Sequence, residues 1–278
     1  MSAKKSIKAR LAAALRQKFA TYKPETYYMP FHTNLLGKDR MALYSFIQSL
    51  NTNFGTSIFE PVAEELAKFE FDKVQRQKVA GERVSKDAER VIQDIMNELE
   101  SGAKKPDKVR ESERILASAM SGEVAMRKPT KVDLFLQKGE DVYLIDIKTA
   151  KPNKGGFKEF KQTLLTWVAC YAYENFCGLN DGAAGVLTAY DLTACDLTNK
   201  AAKIHTLIAI PYNHYYPKPY ERWTMAGMLD LKHELKVAEE FWDFVGGEGS
   251  YELILQAFEE VGQEMRDEID EYFRKFKT

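Results

Sequence analysis

Apolar residues recur at helical spacing through the alanine-rich stretch 5–20, and 40–50 predicts a second short helix. Residues 51–57, rich in Asn, Thr and Gly, read as a loop ending in an N-cap before a helix over 58–69, where Pro61 is tolerated in the first turn. Val91, Ile92, Ile95, Met96 and Leu99 mark a helix over 85–99 with Ser85 as its cap, and another is expected over 112–120. The period then drops to 2: residues 131–137, 142–150, 184–190 and 203–210 alternate as strands do. A helix over 157–176, with Phe160, Leu164, Val168, Tyr171 and Ala172 on its buried side, separates the second strand from the third. A loop of prolines and aromatics fills 211–223, and helices are expected over 229–245 and 251–276. The pattern predicts one elaborated α/β domain over 1–278: an N-terminal helical extension (1–50), a core (51–224) and C-terminal helices (225–278).

Composition narrows the class. With 45% hydrophobic and 29% charged residues, the 278-residue chain has the make-up of a folded globular protein. No apolar run approaches the roughly 20 residues a membrane span needs, and no apolar signal core follows the lysines at the start, so the expected compartment is the cytoplasm, with no membrane partner. Cys170, Cys177 and Cys195 lack the Cys-x-x-Cys spacing of zinc or redox sites and read as reduced, mostly buried thiols. The net charge of −1 conceals an uneven distribution: residues 101–170 carry 14 Lys/Arg against 9 Asp/Glu, and residues 230–278 carry 6 against 14. A locally basic middle can hold a polyanion that an acidic tail repels, although solvated helix faces give similar counts.

The chemistry concentrates in residues 131–148. These read as a hairpin with a four-residue loop, 138–141; if Gln137 pairs with Val142, Asp133 stands opposite Asp146, and Lys131 opposite Lys148. Side-chain alternation puts Lys148 on the Asp146 face as well. A solvated face with a harmless salt bridge is the plainer reading of such charges. Against it, both faces of the second strand carry apolar residues (Val142 and Leu144; Tyr143, Ile145 and Ile147), as in a helix-covered sheet. Facing carboxylates that lose water are costly unless paired or bound to a metal, and a divalent cation between them would remove that cost. Magnesium suits hard oxygen ligands, with Asp133, Asp146 and the Ile147 carbonyl as its candidates. Lys148 would then orient the attacking water and offset charge at phosphorus.

Asp133, twelve intervening residues and Asp146-Ile147-Lys148 resemble the PD-(D/E)xK nuclease motif in its D…DxK form, with Val132 in place of the usual proline. The flanks, Asp146 through Phe157 and Tyr220-Glu221-Arg222-Trp223-Thr224, resemble the type II restriction endonucleases of the MjaII/TdeIII-like group. That resemblance, over about 54–260, implies an αβββαβ core with a mixed sheet flanked by helices, with 122–127 as its preceding strand. It also implies magnesium-dependent double-strand cleavage of DNA at a short, interrupted palindromic site, leaving 5'-phosphates. A homodimer is the partner state that matches a palindrome. Glu60, with Glu64 as fallback, is the catalytic helper the resemblance implies on the first core helix, although a first-turn glutamate also suits the helix dipole.

Lys151, Asn153, Lys154, Lys158 and Lys161 surround a Gly-Gly helix entry suited to phosphate, and Asn213, His214, Lys218 and Arg222 lie in an aromatic loop suited to base edges. Solvated helix ends and loop packing are the plainer readings. His205 and His233 read as structural. Two other functions fit the same residues: a repair or junction nuclease with this core, or a non-catalytic DNA-binding protein whose acidic pair is structural.

Overall fold

The computed structural model describes residues 3–24, 29–119, 122–148, 154–177, 199, 203–220, 225 and 227–275. The chain divides into two compact units, Met1–Glu70 with Trp242–Thr278, and Phe71–Phe241. The unit carrying the sheet therefore begins and ends later than the 51–224 core drawn from the sequence. Among the described residues no helix is long and apolar enough to cross a membrane.

The first unit is helical. Its elements are α1 (Ala3–Thr21), α2 (Pro30–Leu36), α3 (Lys38–Phe54) and α4 (Glu60–Ala67). The loop expected over 51–57 is absent: α3 runs to Phe54 and passes through a π-helical turn, Gly55–Phe59, directly into α4. The Asn and Gly propensities are overridden by packing, because Phe54 and Phe59 stand edge to face at 5.8 Å and both meet Phe258 at 6.4 Å.

In the second unit the polar run Lys73–Val79, unassigned from the sequence, forms β1. Arg83–Ser85 is β2, and Ser85 caps α5 (Lys86–Glu100) as expected, its Oγ accepting from the Ala88 N–H at 3.0 Å. Then follow α6 (Lys108–Ala119), β3 (Val124–Met126), β4 (Lys131–Lys138), β5 (Asp141–Ile147), α7 (Lys154–Ala172) and β6 (Ile204–Ile210). The strand expected over 184–190 lies outside the described residues. The helix expected over 229–245 is interrupted: a single turn, α8 (Leu231–Glu234), leads into β7 (Leu235–Val237), and only then does α9 (Glu239–Gly246) form. The first unit's C-terminal helices are α10 (Ser250–Glu264) and α11 (Arg266–Arg274).

The main sheet has five strands in the order β1-β4-β5-β6-β7. β1, β4 and β5 are antiparallel neighbours, while β5, β6 and β7 run parallel. The sequence reading placed the strand before the hairpin at 122–127; instead β3 pairs with β2 in a separate two-stranded sheet, and β1 takes the place beside β4. One face of the sheet packs on α5, α6 and α7, joining Phe135, Val142, Leu144 and Ile208 to Ile92, Ile115, Phe157, Leu164 and Val168 in one core. Leu134, Leu136 and Ile145 are also fully buried, so the central strands are covered on both faces.

Candidate active site

The β4–β5 hairpin has the predicted register, Gln137 facing Val142, but a shorter turn than expected. Lys138 pairs with Asp141, leaving Gly139 and Glu140 as a two-residue connection with Gly139 at φ 58°, a conformation that favours glycine. At the far end the ladder pairs stop at Leu134 with Ile145. Beyond them the Ile147 N–H donates to the Asp133 carboxylate, Oδ2, at 2.8 Å, while the Lys148 N–H turns to the Ala209 carbonyl at 2.9 Å. The paired Asp133 and Asp146 expected from the register therefore become a splayed strand end, bridged by a side chain instead of by backbone. Lys131 and Lys148 do not pair.

Asp146 is buried, at 7% exposure, beside a half-buried Asp133. Burial pushes its carboxyl up to about 6; Lys148 opposes the rise, and Asp133 adds to it. Lys148 reaches back along β5 to place Nζ 2.6 Å from Asp146 Oδ1, as the alternation predicted, and lies 5.0 Å from the centre of the Phe160 ring on α7. On the other side of β4, the Gln77 side-chain amide donates to Asp133 Oδ1 at 3.3 Å. Gln77 was not anticipated. It lies in the strand the polar pattern concealed, at φ 53°, a left-handed conformation that costs a residue with a Cβ roughly 1–2 kcal/mol.

The remaining candidates scatter. Lys151, Asn153 and Arg222 lie outside the described residues, and Lys154 opens α7. Lys158 is exposed and paired with Glu100 at 2.8 Å. Lys161, expected near phosphate, is fully buried between Glu111 at 2.5 Å and Glu234 at 2.6 Å, so it cannot meet a ligand from solvent. The signal was present: Phe157, Lys161, Leu164, Val168 and Ala172 share one helical stripe, and the lysine occupies an apolar position in it. Asn213 ties its own loop together, donating to the Lys218 carbonyl at 2.7 Å and accepting from the Tyr215 N–H at 2.8 Å. His214 packs near Tyr212, ring centres 4.4 Å apart, and Lys218 is exposed. Glu60 is buried in the first turn of α4 in the first unit, where Glu64 is half-buried. His205 is structural, stacked on Tyr143 at 4.5 Å and 2.9 Å from Asp141 Oδ1; His233 holds Asp230 at 2.8 Å. Cys170 is a buried free thiol, pushed up to about 11 by its burial.

Residues 2–262 match the family described as type II restriction endonuclease, HinfI. The chain belongs to that family. Among curated relatives it is similar to the type II restriction enzyme MjaII of Methanocaldococcus jannaschii, 24% identical over 75% of this chain and 51% of MjaII, so it spans about half of that protein's length. It is also similar to HgiCII of Herpetosiphon aurantiacus, 23% identical over 86% of this chain and 80% of the relative. HgiEI of the same organism is 22% identical over 86% of this chain and 79% of its own. No solved structure matches. The HinfI-family chain carries its carboxylate pair on adjacent central strands, with Lys148 just past the end of β5, in a five-strand mixed sheet flanked by helices that is compatible with a restriction endonuclease fold.

A divalent cation fits the oxygen donors at the splayed end. Asp146 is a buried carboxylate whose ionised form needs a counter-charge, now supplied by Lys148, and Asp133 shares its site. Among the described residues no group of three or more His, Cys, Asp and Glu side chains is placed to hold a metal. Two carboxylates are too few for a fully protein-built cage and leave the rest of a divalent cation's shell to other oxygens.

Proposed function

We propose that this chain is a magnesium-dependent type II restriction endonuclease that makes site-specific double-strand cuts in DNA, with Asp133, Asp146 and Lys148 as its catalytic centre. The observation that carries the reading is the buried Asp146 beside Asp133 with the Lys148 ammonium 2.6 Å away, in a chain of the HinfI family. The antiparallel β1-β4-β5 meander followed by a helix and the parallel β6 supports a PD-(D/E)xK core, with β2, α5, α6 and β3 inserted between β1 and β4.

Asp133 and Asp146, with the Ile147 carbonyl, would hold the cation. A bound magnesium supplies Lewis-acid polarisation of the phosphate and a more acidic water. Lys148 does the rest from the protein side: its ammonium orients the water for in-line attack and offsets charge at phosphorus. The water oxygen bonds to phosphorus, the bond to the 3' oxygen breaks, and a proton passes to that leaving oxygen, giving a 5'-phosphate and a 3'-hydroxyl. Lys151, Lys154 and Lys158 are proposed as phosphate contacts and Asn213, Lys218 and Arg222 as base readers, with Asn153 and His214 as further DNA contacts.

Purified protein incubated with plasmid and magnesium is expected to yield discrete fragments whose ends share one sequence, and excess EDTA is expected to stop the reaction. Asp146→Ala and Lys148→Ala proteins that retain the wild-type circular dichroism spectrum are expected to lose at least a hundredfold in rate. Wild-type cutting by either variant would remove these residues from the mechanism; junction-dependent cutting would favour a repair nuclease.

A further inference from the structure

Gln77 combines three features with no reason to coincide in an ordinary edge strand. It stands opposite Asp133, between the pairs Arg76 with Leu134 and Lys78 with Val132. Its backbone is left-handed, φ 53°, in the middle of β1, although it is neither glycine nor asparagine. Its side-chain amide donates to Asp133 Oδ1 at 3.3 Å, complementing the Ile147 N–H on Oδ2 at 2.8 Å.

The left-handed residue has a visible consequence. Neighbouring side chains on a regular strand point to opposite faces. Here Gln77 reaches Asp133 while Lys78 lies over the Phe135 ring, 3.4 Å from its centre, and Asp133 and Phe135, two residues apart on β4, share one face. The backbone at Gln77 thus lets both neighbours address the face that carries Asp133 and Asp146. Pairing with β4 resumes at Lys78, so the strand does not simply end there. A twist that only blunted the sheet edge would be served as well by glycine and would not require an amide on a carboxylate.

We infer that Gln77 is a positioning residue for Asp133: the left-handed turn in β1 presents its amide so that both carboxylate oxygens are held and the remaining lone pairs face the cation site. The inference rests on the assignment of Asp133 as a ligand. Outer partners that orient a ligating carboxylate typically change metal affinity or activity about 10–100-fold when removed.

The test uses the full-length protein and five forms: wild type, Gln77→Gly, Gln77→Ala, Gln77→Asn and Asp133→Ala. Mn2+ binding is measured by calorimetry without DNA, and cleavage is measured as a function of magnesium concentration. Gln77→Gly, which accepts the backbone conformation but lacks the amide, and Gln77→Ala are expected to bind Mn2+ about tenfold more weakly and to need proportionately more magnesium for half-maximal cleavage. Gln77→Asn, which tolerates the same conformation and keeps an amide, is expected to recover part of the loss. Wild-type Mn2+ affinity and magnesium midpoint in Gln77→Gly would overturn the inference, as would a lowered melting temperature in Gln77→Ala with unchanged affinity. Asp133→Ala separates the two levels: if it is folded and binds Mn2+ like wild type, the ligand assignment fails, whereas if it loses the metal and Gln77→Gly does not, only the positioning role fails.

Discussion

Asp146 illustrates how a single side chain can be held against its own preference. Burial keeps its carboxyl at about 6, above its ordinary 3.8, so the native state binds the proton more tightly than the unfolded chain does. The stabilising contribution is therefore fully present below pH 4 and is lost as pH rises through 6. In metal-free buffer, wild type compared with Asp146→Asn, whose amide does not ionise, is expected to lose on the order of 2 kcal/mol of relative stability between pH 4 and pH 7. Urea denaturation in EDTA across that range measures it, and a pH-independent difference would mean that the carboxylate is not desolvated. At pH 7.5 the ionised carboxylate should welcome a cation. Added magnesium is accordingly expected to raise the melting temperature of wild type and to leave that of Asp146→Asn unchanged, since only ligands that bind the native state stabilise it.

At the scale of elements, three helices meet on one buried ammonium: Lys161 of α7 binds Glu111 of α6 and Glu234 of α8, all nearly or fully inaccessible. Beside it Lys108 of α6 donates to Thr206 of β6 at 2.5 Å, and burial lowers its ammonium to about 8. Removing one member strands the others in a medium that cannot solvate them. Lys161→Met is expected to destabilise the protein by roughly 3–5 kcal/mol, while replacing all four charges together, Lys108→Met/Glu111→Leu/Lys161→Met/Glu234→Leu, should recover much of the loss. Equal urea midpoints for the single and quadruple variants would contradict this. The same scale separates what the sequence disclosed from what it hid. The hairpin register, the Ser85 cap and the alternation that joins Lys148 to Asp146 were legible because apolar periodicity and local chemistry determine them. β1 was not, because an edge strand reading Lys-Val-Gln-Arg-Gln-Lys-Val carries charge where a central strand carries apolar residues, and Gln77 was hidden with it. β7, three residues between two helical pieces, has too little sequence to show a period.

At the scale of the whole chain, the charge asymmetry acquires a partly internal explanation. Acidic residues near the C-terminus are matched by the cationic face of α1: Lys4 and Lys8 meet Glu260, Lys8 meets Glu264, and Arg16 meets Glu268, at 2.5–2.8 Å. Three of the 14 acidic residues in 230–278 are therefore ion-paired within the first unit, which reduces the tail's net negative charge without cancelling it. Exposed pairs of this kind contribute little stability each. The number of chains needed to cut a duplex follows from a different consideration. Each chain carries one Asp133, Asp146 and Lys148 set, and a palindrome presents its two strands related by a two-fold axis, so two copies about the same axis place one set at each scissile phosphate. The proposed active species on DNA is therefore a homodimer. Folded Lys148→Ala protein, mixed in magnesium with a duplex holding one copy of the cleavage site, is expected to sediment with the mass of two 31.8 kDa chains and one duplex. The same duplex with one half-site scrambled should lose the second chain or bind at least tenfold more weakly. A complex of one chain per intact site, with unchanged affinity for the scrambled duplex, would exclude the dimer and require one centre to cut the two strands in turn.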